Sequence, residues 1–118
     1  AADAARSALS DIAGPRSDID SLQVLPVLGV ALVELGEAEE ARKTLTRTLA
    51  VSERVQIEDS PERADAWYGL GRIQAAAGEC TAARPLLQRA ADFWRQHGPE
   101  VPMRAASEEW LARCRAAT

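Results

Sequence analysis

The sequence predicts an all-α fold, a stack of antiparallel helix pairs with about six helices in all. Residues 22–52 laid over residues 64–94 repeat one another at a constant offset of 42, and within each copy apolar residues recur at three- and four-residue spacing. The seven glycines and six prolines, moreover, fall mostly where such helices would end.

The elements follow in order. Residues 2–13 form a helix candidate with Ala5, Leu9 and Ile12 on one face, stopped by Gly14 and Pro15; it has the form of the second helix of a truncated preceding unit. The first full unit occupies residues 22–60. Its leading helix carries Leu25, Leu28, Gly29 and Leu32 on one stripe, Gly36 lets the chain reverse, and Ala41, Leu45 and Leu49 mark the returning helix. The second unit, residues 64–98, repeats this with Trp67, Leu70, Gly71 and Gln74, then Gly78, then Ala83, Leu87, Ala90 and Trp94. After a break at His97 to Pro99, residues 101–116 give a last helix with Met103, Trp110, Leu111 and Cys114, either the first helix of a third unit or a cap. Residues 1–118 thus form one domain.

Seven matched pairs carry the repeat: Leu25/Trp67, Leu28/Leu70, Gly29/Gly71, Gly36/Gly78, Glu37/Glu79, Ala41/Ala83 and Leu45/Leu87. Glycine inside a helix costs propensity, so Gly29 and Gly71 imply a compensating close approach of two helix backbones. Two prolines constrain the helix starts. With Asp20 or Ser21 as one N-cap and Cys80 or Thr81 as the other, Pro26 and Pro85 lie about one turn in, which predicts late starts or slight kinks.

Composition narrows the function. A net charge of −4 leaves no basic excess for a phosphate backbone, which excludes direct nucleic-acid binding by this segment. The apolar run Val24 to Val33 is broken by Pro26 and Gly29 and is too short for a membrane span, so the expected setting is cytoplasmic. Lys43 is the only lysine among many arginines, a composition expected of a GC-rich bacterial genome.

Chemistry-bearing residues are few. His97 fits a cation at a helix C-terminus. No Ser-His-Asp or Cys-His pairing and no Gly-rich phosphate loop is present, so no catalytic residue, cofactor or metal is assigned and the chain is expected not to be an enzyme. Glu39-Glu40 and Glu108-Glu109, with Lys43 and Arg113 one turn on, read as solvated helix charge. Cys80 and Cys114 are not spaced for a metal. Antiparallel packing makes a disulfide between them conceivable, and Cys80 near a helix start is a candidate reactive thiol, but a cytosolic setting favours two unpaired cysteines. Trp67 and Trp94 are expected in the core, while Trp110 would face solvent if nothing follows the last helix.

The residues resemble tetratricopeptide repeats. Ala66-Trp67-Tyr68-Gly69-Leu70-Gly71, then Ala77-Gly78-Glu79, Ala83 and Ala90, follow that family's pattern, and Leu28-Gly29, Leu35-Gly36-Glu37 and Glu40-Ala41 repeat it. The 42-residue spacing is similar to the longer variant of kinesin light chains and bacterial regulatory proteins, with Val51 to Asp59 as the extension of a second helix. Departures are Leu25 in place of the Trp, Leu32 and Gln74 where an aromatic is usual, and no proline closing the second helices.

The resemblance implies a tetratricopeptide-like α-solenoid whose concave face, built mainly by first helices, binds a peptide or helical segment of a partner protein. The residues carried over to that face are Gln23, Pro26, Val30 and Val33, then Asp65, Tyr68, Arg72 and Ala75, then Glu109 and Arg113. Arg72 and Arg113 would grip a carboxylate or carbonyl, with Tyr68 adding stacking area. The Lys, Asn and Arg set with which some relatives hold a terminal carboxylate is missing. The alternative role is an intramolecular regulatory or sensory segment of a larger bacterial protein, a Ser/Thr kinase or transcription regulator. Homodimerisation through an exposed terminal helix is a further possibility of so short an array.

Overall fold

In the computed structural model, residues 17–55 and 58–116 are described, with side chains from Ser21 onward. The helix expected over residues 2–13 lies outside the described residues, so five helices stand where about six were anticipated. They are α1 (Ser17–Glu34), α2 (Ala38–Arg54), α3 (Pro61–Ala76), α4 (Cys80–His97) and α5 (Pro102–Ala116).

The two reversals within helix pairs are built alike. Gly36 and Gly78 take φ of +80° and +82°, a left-handed conformation that a Cβ disfavours. Around them Glu37 N–H donates to Leu32 O (3.0 Å) and Gly36 N–H to Val33 O (3.1 Å), while Glu79 N–H donates to Gln74 O (2.8 Å) and Gly78 N–H to Ala75 O (3.1 Å). This is the Schellman arrangement, which satisfies carbonyls left over at a helix end. The same glycine and acidic pair in both units therefore makes the same turn.

Helix starts depart from the sequence reading. α1 runs unbroken from Ser17, so Pro26 is buried well inside it instead of one turn in. Its missing N–H is offset by burial on either side, Leu25 at 1% and Leu28 at 4% exposure. For α4 the N-cap is Glu79, ahead of both Cys80 and Thr81, the two expected positions. Neither helix starts late. In α3 the start is at Pro61, where Ser60 Oγ accepts from Arg63 N–H (3.3 Å) and proline sits at the first helical position. α2 ends at Arg54, partway into the Val51 to Asp59 extension, and Arg63 Nε–H donates to Ser52 Oγ (3.0 Å) across to α3.

Packing follows the repeat. A Cβ placed on Gly29 would lie 2.3 Å from Leu45 Cδ2, and one on Gly71 would lie 2.8 Å from Leu87 Cγ. Each glycine of a leading helix thus receives the matched leucine of its returning helix, which is the close approach that the sequence implies. Leu45 and Leu87 are wholly buried, as are Leu32, Ala41, Ala83 and Ala90. The largest apolar cluster joins Trp67, Tyr68, Leu87, Phe93, Leu111 and Cys114 across α3, α4 and α5.

Layering positions the site. Each helix packs on its chain neighbour, and α1 also approaches α3, as α3 approaches α5, whereas the backbones of α2 and α4 do not come close. Leading helices are drawn together and returning helices splay apart. A stack with that asymmetry curves toward α1, α3 and α5, so its inner face is theirs.

Candidate functional site

Side chains of the three inner helices converge on one cavity of about 170 Å³, lined by Val30 and Glu34 of α1, Tyr68 of α3, and Pro102, Met103 and Ala106 of α5. Five of these six are apolar or aromatic; Glu34 supplies charge at one edge. Tyr68 presents only an edge, being 4% exposed and part of the core, and its hydroxyl accepts from Arg72 Nη1 (3.1 Å). The expectation of Tyr68 as an open stacking platform is therefore corrected: the fold needs its ring inside.

Arg72 and Arg113 are brought together by a third residue. Their guanidinium carbons lie 5.5 and 4.5 Å from the Trp110 ring centroid, and Arg113 also pairs with Glu109 (2.7 Å). Trp110, which would face solvent were nothing packed on the last helix, is half-buried with two guanidinium groups against its ring. Such stacking desolvates the indole while leaving guanidinium edges open to a ligand. The spacing of Trp110 to Arg113, one helical turn, was a readable signal for half of this; the Arg72 contact crosses two helices and was not.

Other sequence-assigned residues lie elsewhere. Gln23 is exposed on α1 and does not line the cavity. Pro26 is buried. Val33 is half-buried and packs against Leu28, Leu32, Ala41 and Ile73, with Cγ2 3.6 Å from where a Gly69 Cβ would stand; it belongs to the α1–α3 seam. Ala75 lines a different cavity, beside Trp110. Missed by sequence reasoning were Met103 and Ala106, whose role depends on how α5 docks.

Asp65, in the second turn of α3, is half-buried and its carboxyl is pushed up to about 6, chiefly by burial and secondarily by the Glu62 charge. In contrast, Glu108 is held below the ordinary carboxylate range, first by its hydrogen bond from Arg95 and then by the Arg95 and Arg104 charges. Both Glu108 and Glu109 thus sit in ion pairs on α5. The other acidic pair keeps Glu39 with Arg42 (2.9 Å).

Cys80 and Cys114 are not two free thiols. They form a disulfide with Cα atoms 5.3 Å apart, joining the first residue of α4 to the last turn of α5. Antiparallel docking of α5 on α4 brings these ends together, although 34 residues separate them in sequence. His97 stacks on Phe93, centroids 4.5 Å apart. Trp67 is buried at 3% exposure with Arg89 4.1 Å over its ring; Trp94 is half-buried, and its indole nitrogen is enclosed without a hydrogen-bond partner.

Among the described residues no helix is long and apolar enough to cross a membrane, and no three or more His, Cys, Asp or Glu side chains gather to hold a metal ion. The sequence matches the family model described as tetratricopeptide repeat over residues 20–96. No curated protein and no solved structure is matched by the chain.

Proposed function

Because the chain belongs to the tetratricopeptide repeat family, we propose that it is a non-enzymatic scaffold that docks a peptide or helical segment of another protein against α1, α3 and α5. The observation that carries this reading is the convergence of Val30, Tyr68 and Met103 from three successive inner helices on one apolar cavity. At about 170 Å³ the cavity is smaller than sites that enclose a cofactor or drug-sized substrate, roughly 300–1,000 Å³, and suits one apolar side chain of a ligand. A peptide anchored there would run past Arg72 and Arg113, whose guanidinium edges donate to carbonyls or an acidic side chain.

Capture from a lysate of the source organism, comparing the wild-type chain with Val30→Glu plus Met103→Glu, tests the proposal. Both positions are half-buried at the cavity wall, so the substitutions place charge where an apolar anchor would sit. Loss of a specific partner from a variant with an unchanged helical circular dichroism spectrum is expected. Retention of every partner by that variant refutes the groove.

A further inference from the structure

We propose that the Cys80–Cys114 bridge is a thiol-exchange site, opened by a small thiol at Cys80, whose opening releases α5 from the stack. Three observations carry it. The bridge borders an open cavity of about 250 Å³, lined also by Gly78, Thr81, Trp110 and Arg113, so a thiol can approach it from solvent. Its two cysteines differ as residues: Cys114 is 1% exposed, whereas Cys80 is only half-buried. Their helical settings differ as well. Cys80 is the first residue of the 18-residue α4, whose N-cap Glu79 makes no side-chain cap bond, so free N–H groups and the positive helix end favour a thiolate there. Cys114 lies in the last turn of α5, where a thiolate meets the negative helix end.

Exchange then has a direction. Access sets the first step: an incoming thiolate attacks Cys80 Sγ, on the more exposed cysteine, the Sγ–Sγ bond breaks, and its electron pair leaves on Cys114 Sγ, which takes a proton because the negative helix end disfavours a thiolate there. The helix ends set the second step: another thiolate attacks the incoming sulfur of the mixed disulfide and expels Cys80 as a thiolate that the positive end of α4 favours. Two thiols become one external disulfide, and the bridge gains two electrons and two protons. Oxidation runs back through the same mixed disulfide on Cys80, with Cys114 resolving it.

Release follows from where α5 is held: the Arg95–Glu108 ion pair and the packing of Met103 and Ala106 lie nearer its start, while the bridge fixes its last turn. Only Ser107, Leu111 and Cys114 of this helix are fully buried, and Cys114 is itself half of the bridge. Toward the bridge the helix is also held by hydrogen bonds from Arg84 to Cys114 O (3.2 Å) and from Arg115 to Gln88 (3.2 Å), by the Arg72 contact on Trp110 and by buried Leu111. Pro102, Met103 and Ala106 of α5 also wall the inner cavity, so, resting on the groove reading, opening the bridge would loosen the ligand site.

The test uses the full chain, purified without reductant and equilibrated in glutathione buffers of graded ratio, with thiols trapped by iodoacetamide and located by peptide mass spectrometry. The oxidised protein is expected two hydrogens lighter than its sequence, and intermediate buffers are expected to place glutathione on Cys80. Hydrogen exchange of amides 103–116 is expected to quicken at least about tenfold on reduction while amides 62–76 change less. Neither readout needs a partner, so failure here leaves the groove proposal standing, and the reverse. Three results overturn the inference: thiols that stay free in oxidised glutathione, glutathione trapped on Cys114, or α5 protection equal in both states. Cys114→Ser, in which Cys80 is expected to alkylate about tenfold faster than Cys114 does in Cys80→Ser, adds a check on the order of attack. If either variant fails to fold, the wild-type titration decides.

Discussion

Replacing Gly29 by alanine tests the packing on which the stack rests. On an exposed helix this change stabilises by about 1 kcal/mol, because alanine loses less backbone entropy. In α1 the new Cβ would lie 2.3 Å from Leu45 Cδ2 and 2.6 Å from Leu45 Cγ. Swinging a terminal methyl aside relieves the first contact only. Leu45 is wholly buried, and its Cδ1 already stands 2.3 Å from where a Gly69 Cβ would be, so α3 blocks retreat on the other side. Overpacking of this kind costs about 1–3 kcal/mol, and since Cγ itself must move the upper part of that range applies. Net of propensity, Gly29→Ala should destabilise by about 1–2 kcal/mol, or roughly 4–8 °C in melting temperature for a domain this size. Urea unfolding followed by tryptophan fluorescence measures it. Leu45→Ala alone should cost about 2–5 kcal/mol, and the double variant should fall short of the summed losses by at least about 1 kcal/mol, because the methyl introduced at position 29 fills vacated space. Gly29→Ala as stable as wild type, or strict additivity with Leu45→Ala, would refute the reasoning.

Two further perturbations follow from the structure. Gly78→Ala forces a Cβ into the left-handed turn at φ +82°, where open space surrounds it, so the cost is conformational alone, about 1–2 kcal/mol, and chemical denaturation should report it with no change in the oxidised bridge. Asp65 has a carboxyl raised in the fold to about 6 from 3.8, so the folded chain holds its proton more tightly than the unfolded one. Stability should therefore fall as pH rises from about 4 to about 6 and stay lower above that range. Discounted for partial exposure, Asp65→Asn should be more stable than wild type near pH 7 by roughly 1–2 kcal/mol and lose that advantage by about pH 4, as melting curves across pH would show.

Much of this fold is legible because a repeat makes each packing decision twice. Gly29 against Leu45 and Gly71 against Leu87 are one contact in two copies, and the matched Gly-Glu turns are one turn. Helix starts were harder to read. Laying the units over one another from residue 64 hid the Ser60-Pro61 cap, and reading Pro26 as a start signal missed a helix whose burial tolerates it. Contacts between successive units were the least legible, since they depend on how α5 docks. Met103 at the cavity, Arg72 on Trp110 and the bridge from Cys80 to Cys114 all require that docking. Tyr68 has the position of a groove residue by helical spacing, and the same spacing places it over the α4 and α5 core, where its ring went.

The proposal of an inner binding face is tested most directly by site-specific photo-crosslinking in lysate of the source organism. A benzophenone side chain is placed at Met103 on the inner cavity or at Ala50, exposed on α2. A discrete protein adduct from position 103 and none from position 50 is the predicted result. The same adduct arising from position 50 and not from 103 would contradict the account, because the partner would then dock on the returning helices.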